Sequence, residues 1–164
     1  MATTRAEPKI KPRDMIPIFQ LMSVEGQPVN IWTYKGRKNI VIVFLTKDLS
    51  PPYLEFLRSI TNLYPRYEEE DAVVLVIVKG SLNDAITFYH NLKPPFPILY
   101  DDGRVTSQFT NQLPAVFVAD RFGEVRGVWI TDPEQNFPTH KEILDTLDLI
   151  NLECPECGAP VEWE

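Results

Sequence analysis

Two uninterrupted branched runs, Ile40-Val41-Ile42-Val43-Phe44-Leu45 and Val73-Val74-Leu75-Val76-Ile77-Val78, constrain this chain more than any other feature. A strand with one wet face alternates apolar and polar residues. A run with no polar position is buried on both faces, as at the centre of a parallel sheet. Parallel neighbours need a crossover. The segment between the runs supplies one, because Leu54, Leu57, Ile60, Leu63, Tyr64 and Tyr67 recur at helical spacing up to the acidic Glu68–Asp71 stretch. Runs and helix together predict a βαβ unit, the seed of an α/β domain.

The flanking segments extend that seed. Ile16–Met22, a Glu25-Gly26-Gln27-Pro28 turn and Val29–Trp32 read as an opening β-hairpin. Downstream lie a helix over Ser81–Asn91, a Pro94-Pro95-Phe96-Pro97 break and a short strand, Ile98–Tyr100. Ala115–Ala119 and Val125–Ile130 flank Asp120-Arg121-Phe122-Gly123, a turn signal, and Thr139–Ile150 closes as a helix. The order β-β-β-α-β-α-β-β-α, without internal repeats, predicts a mixed sheet with helices on both faces. At 164 residues and 44% apolar content the chain suits one core. The division expected is a polar basic arm over 1–13, one α/β domain over 14–150 and a short tail over 151–164. The arm carries Arg5, Lys9, Lys11 and Arg13 against Glu7, cannot bury a core, and reads as solvated unless a partner surface holds it.

Charge and cysteine usage exclude several function classes. Sixteen basic against twenty-three acidic side chains leave −7, which repels phosphate backbones and anionic lipid, so no nucleic-acid partner is expected. No apolar run approaches the roughly 20 residues needed to cross a bilayer. Met1–Arg13 lacks the apolar centre of an export signal, so a cytoplasmic protein without a membrane span is expected. The two cysteines, Cys154 and Cys157, stand together and cannot staple distant segments.

Five local signatures, in order, resemble one family. They are Ile16-Pro17-Ile18-Phe19-Gln20-Leu21, then Gly26-Gln27-Pro28-Val29, then Tyr34-Lys35-Gly36-Arg37-Lys38-Asn39. Pro95-Phe96-Pro97-Ile98-Leu99 with Asp101 and Gly103 follows, and Leu113-Pro114-Ala115-Val116-Phe117-Val118 with Asp120 and Gly123 completes the set. From about Arg13 to Ile150 the chain thus resembles the thioredoxin fold as elaborated in the peroxiredoxin and redoxin (AhpC/TSA-type) family. The resemblance implies a thioredoxin-like mixed sheet and a cis proline at Pro114.

The departure lies at the chemistry. In the family the strand ending at Phe44 leads into Cys-Pro-Pro-Cys or Thr-x-x-Cys, whereas here it reads Leu49-Ser50-Pro51-Pro52-Tyr53. The essential cysteine falls at Tyr53 and, on the first alignment, the attacking cysteine falls at Ser50. A thiolate is the nucleophile in peroxide reduction and disulfide exchange, and a serine hydroxyl or a phenol does not replace it. An activated Ser50 would need a base, and the two histidines, His90 and His140, lie after helical or loop segments. Ser50 therefore reads as the N-cap of the long helix with Pro51 in its first turn. Pro114 reads as a structural proline, His90 and His140 as surface or helix-end residues, and Trp32 and Trp129 as cover for the sheet.

Glu153-Cys154-Pro155-Glu156-Cys157-Gly158 is the remaining constellation with chemical potential. As a zinc knuckle it supplies half of a four-ligand site, completed by a second copy or a partner protein, so zinc shared between chains is the one candidate cofactor. As a redox pair it lacks a following helix N-terminus to lower a thiol pKa, and Glu153, Glu156 and Glu162 oppose a thiolate. As an idle tail it does neither. It is also similar to the Val-Cys-Pro tail that carries the resolving cysteine of two-cysteine peroxiredoxins. The reading expected is a redoxin-like binding or accessory subunit of an assembly or homo-oligomer, with no catalytic residue at the usual site. The alternative is a thiol-disulfide oxidoreductase or antioxidant protein acting through Cys154 and Cys157.

Overall fold

The computed structural model describes residues 9–130 and 137–153. In chain order the elements are β1 (Gln20–Met22), β2 (Pro28–Asn30), a 3-10 turn (Ile31–Tyr34), β3 (Asn39–Thr46), α1 (Pro51–Glu69) and β4 (Ala72–Lys79). They continue with α2 (Leu82–Leu92), β5 (Ile98–Asp101), α3 (Thr106–Phe109), β6 (Ala115–Ala119), β7 (Val125–Ile130) and α4 (His140–Leu152).

The two branched runs become β3 and β4, paired in parallel with Ile40 opposite Val73 and Leu45 opposite Val78. The sheet order is β5-β4-β3-β6-β7, parallel through β5-β4-β3 and antiparallel beyond, with a separate β1-β2 hairpin. Every β3 residue from Asn39 to Leu45 is buried, as an unbroken apolar run requires. Alternation divides its side chains between two cores. Val41, Val43 and Leu45 join Val74, Val76 and Val78 beneath α1, α2 and α4. Ile40, Ile42 and Phe44 join Leu75 and Ile77 beneath Phe19, Ile31 and Phe109. Full withdrawal from water contributes roughly 1.5–3 kcal/mol for each such side chain. Both faces carry helix, unequally: the three long helices share one, and only α3 lies with the hairpin on the other.

Local chemistry accounts for the differences from the sequence expectation. The hairpin strands are shorter than Ile16–Met22 and Val29–Trp32, because Asn30 Oδ1 accepts the Trp32 N–H at 2.8 Å and winds Ile31–Tyr34 into the 3-10 turn. The unexpected α3 is organised by buried Asp101, whose carboxylate accepts the Thr106 N–H and hydroxyl, both at 2.7 Å, and the Val105 N–H at 3.3 Å. Residues 9–13 of the basic arm are tied to the domain. The Lys9 N–H donates to the Phe109 carbonyl and the Arg13 N–H to that of Val125, at 3.0 and 2.8 Å, and Ile10 packs on the core. Among the described residues no helix is long and apolar enough to cross a membrane.

Candidate functional site

β3 delivers the chain at Thr46 to a Lys47-Asp48-Leu49 loop and then to α1. Ser50 occupies the N-cap with extended backbone, followed by Pro51 and Pro52 at the first helical positions. The expected position is right, but the Ser50 side chain makes no capping bond. The two prolines have no N–H to cap, which removes two of the donors a helix start usually presents. Pro114 lies just before Ala115, which pairs with Phe44 at this end of β3, and the Leu113–Pro114 peptide is cis. Ser50, Tyr53 and Pro114 therefore belong to one end of the sheet, at the carboxyl end of β3.

Tyr53 is 7% exposed. Its hydroxyl accepts from Thr46 Oγ1 at 3.4 Å, and Thr46 Oγ1 in turn accepts the Asp48 N–H at 3.4 Å. Its ring sits edge-on to Phe137 at 5.7 Å, Phe137 stacks on Phe56 at 4.1 Å, and Phe56 stacks on the His140 imidazole at 5.1 Å. Tyr67 closes this aromatic column with its hydroxyl 2.9 Å from His140 Nδ1. Burial pushes the Tyr67 phenol up and the His140 imidazolium down, so both are neutral near pH 7. Which of the two donates follows the imidazole tautomer. His140 is the helix-end residue expected, spent on α4 and the column rather than aimed at Ser50, and His90 is exposed on α2. A phenol held by a hydroxyl and an aromatic edge is packing, not an activated nucleophile.

Beside the column, at the carboxyl ends of β3, β4 and β5, an open cleft of about 490 Å³ is lined by Thr46, Lys47, Asp48, Lys79, Ser81 and Asp84, with Asp102 at its margin. Ligands of open α/β sheets settle at this end. Ser81 and Asp84 form a capping box at the start of α2, and the Ser81 N–H and hydroxyl hold the Asp84 carboxyl below the usual carboxylate range. Gly80 makes the box possible, since a Cβ there would stand 2.5 Å from Asp84 Oδ2. Mixed charges suit a polar ligand, but among the described residues no three His, Cys, Asp or Glu side chains gather as metal ligands. Sequence reasoning missed this cleft. Its one visible signal was the Gly80-Ser81-x-x-Asp84 cap after a buried strand.

Cys154 and Cys157 lie outside the described residues. The acid before them is described. Glu153 is ion-paired with Arg126, which also reaches Asp120 at 3.3 Å, and the guanidinium holds the Glu153 carboxyl below its usual range. The charge expected to oppose a thiolate at Cys154 is thus offset by a cation.

The peroxidoxin BcpB structure from Mycobacterium tuberculosis superposes with a TM-score of 0.76 at 20% identity, over 86% of this chain and 98% of that one. With the sheet order above, this defines a thioredoxin-like domain of the peroxiredoxin type. The AhpC/TSA family pattern matches residues 12–136, and this chain belongs to that family. Among its relatives, the chloroplastic peroxiredoxin Q of Sedum lineare is 29% identical over 143 residues, 82% of this chain and 74% of that protein. The putative peroxiredoxin bcp of Coxiella burnetii is 25% identical over 127 residues, 69% of this chain and 83% of that protein.

Proposed function

We propose that this chain is a binding or accessory member of its family that performs no thiol chemistry at the start of α1. The observation that carries the reading is Tyr53, buried in the first turn of α1 where the family resemblance puts the essential cysteine, with Thr46 and Phe137 around it. A tyrosine packed as core keeps the helix start rigid and supplies no thiolate. The open polar cleft offers the surface such a module would use.

The second reading assigns thiol-disulfide exchange to Cys154 and Cys157, and the pairing of Glu153 with Arg126 favours it by offsetting one nearby acid. Zinc held between two copies of the Cys-Pro-Glu-Cys pair would instead make the tail an assembly element.

Hydrogen peroxide consumption with dithiothreitol separates the first two, using the full chain and its Cys154→Ser/Cys157→Ser variant. Consumption at buffer level in both supports the accessory reading, and turnover lost in the variant transfers the chemistry to the tail. Metal content and thiol titration decide the zinc question: about half an ion per chain, with thiols released only on unfolding, fits a four-cysteine site bridging two copies.

A further inference from the structure

At the amino end of the sheet, opposite the cleft, a pocket of about 150 Å³ opens between Met15, Ile18, Ile31, Trp32, Ile40 and Arg121. Ile31 and Ile40 are buried at its floor, whereas Met15, Ile18 and Trp32 are 55%, 61% and 52% exposed, so Trp32 does not simply cover the sheet as its sequence context implied. Large apolar side chains grouped around a concavity mark a binding surface rather than ordinary exposure. Backbone bonds pin the walls to their neighbours. The Ile16 N–H donates to the Gly123 carbonyl at 2.9 Å, the Ile31 N–H to that of Phe19 at 3.0 Å and the Gly36 N–H to that of Arg121 at 2.7 Å. The pocket is therefore formed before anything enters it, which spares a ligand the cost of ordering it.

We propose that this pocket binds a small aromatic carboxylate, its ring among Met15, Ile18 and Trp32 and its carboxylate toward the Arg121 guanidinium. Volume sets the size. An engineered cavity of roughly 150 Å³ accepts benzene, so the space suits one ring. The lining sets the kind of group, because the Met15 thioether and the Trp32 indole both make favourable contacts with an aromatic neighbour.

Charge sets the rest. Among the described residues the pocket wall includes Arg121 and no acid, although the chain carries twenty-three acids against sixteen bases. Asp120, next to Arg121, is spent on the Phe122 and Glu124 N–H groups and on Arg126. The Arg121 guanidinium is held through Nη2, which donates to Asn151 Oδ1 at 3.2 Å. Asn151 is itself fixed, donating to the Glu70 carbonyl and carboxylate, each at 2.8 Å. One anchored nitrogen orients the fork and leaves other N–H groups for a carboxylate, the planar partner a guanidinium matches. The cleft at the other end has Asp48, Asp84 and Asp102 in its lining and offers an anion no such seat. The inference stands apart from the function proposed above, since it concerns the other end of the sheet.

Methyl NMR on the full chain tests it, with phenylacetate as the probe, benzyl alcohol as its uncharged counterpart and acetate as the anion without a ring. Phenylacetate is expected to move the Met15, Ile18 and Ile31 methyls saturably, with a Kd on the order of 1 mM, as befits a ring-sized ligand. Binding should be roughly tenfold weaker for benzyl alcohol, and for phenylacetate in Arg121→Gln. Ile60 and Ile98, buried elsewhere, should stay unmoved as reporters of an intact fold. Ile18→Asp, at an exposed rim position, puts a like charge at the mouth and is expected to abolish the shifts while those reporters hold. Pocket methyls unmoved by phenylacetate overturn the proposal, as does undiminished binding in Ile18→Asp. Equal binding of benzyl alcohol overturns it by removing charge from recognition, and equal shifts with acetate overturn it by removing the ring.

Discussion

The two ends of the sheet differ in what they present to solvent. The carboxyl end, where the family resemblance puts thiol chemistry, buries Tyr53 against Phe137 and opens beside it into the polar cleft of Thr46, Lys47, Lys79 and Asp84. The amino end, where no motif falls, leaves Met15, Ile18 and Trp32 exposed around a concavity. A polar concavity at one end of the sheet and an apolar one at the other give a single fold two unlike surfaces, which is why fold alone does not assign function.

Truncating one aromatic at each end should expose that contrast most strongly. Phe56 is buried and stacked on two rings, so Phe56→Ala is expected to cost about 3–5 kcal/mol. Trp32 is half in solvent, and Trp32→Ala is expected to cost about 1 kcal/mol or less. Urea denaturation midpoints at matched pH decide the matter. Equal losses would mean that the amino end is core as well.

What the sequence made legible follows from how local each signal is. The continuous runs of β3 and β4 declared themselves because burial on both faces leaves no polar position. The α1 start was readable from Ser50-Pro51-Pro52, although the missing capping bond was not, because it depends on where the hydroxyl points. Ile31-Trp32 looks like strand and became a 3-10 turn through one Asn30 side-chain bond. The four residues of α3 are too few to show a period. The aromatic column joins Tyr53 to Phe137 from distant parts of the chain, and the pocket gathers residues from Met15, Trp32 and Phe122. Neither has a local pattern, so only tertiary structure brings them together.

Two helices start at the carboxyl end with different caps, and this sharpens the comparison at the next level. Ser81→Ala is expected to cost about 1 kcal/mol, since its hydroxyl accepts the Asp84 N–H. Gly80→Ala should displace the Asp84 carboxylate from the same box, so the double variant should lose less than the sum. Ser50→Ala, with no capping bond to lose, should change stability by roughly 0.5 kcal/mol at most. A Ser50 effect as large as that of Ser81 would reveal a cap formed in solution. Tyr53→Phe removes one long hydroxyl contact and keeps the ring, for a loss of about 0.5–1 kcal/mol and no change in peroxide consumption.

The weakest and most specific signal is the pH dependence of the column. Burial lowers the His140 pKa in the folded state, while in the unfolded chain it returns to about 6.5. Below about pH 6.5 the unfolded state therefore binds the proton first, so this contribution is complete above that pH and is lost as pH falls toward the folded pKa. Protonation would also place a cation at the first turn of α4, where the helix dipole disfavours it. The Asp84 carboxyl, also lowered, acts in the same direction but only near the ordinary carboxylate range, so the two windows separate. Melting temperatures should fall on acidification through the histidine window in the native chain and less steeply in His140→Gln. Identical slopes would mean that the imidazole titrates as if in water, and the column would then be looser at its α4 end than the Phe56 stack implies.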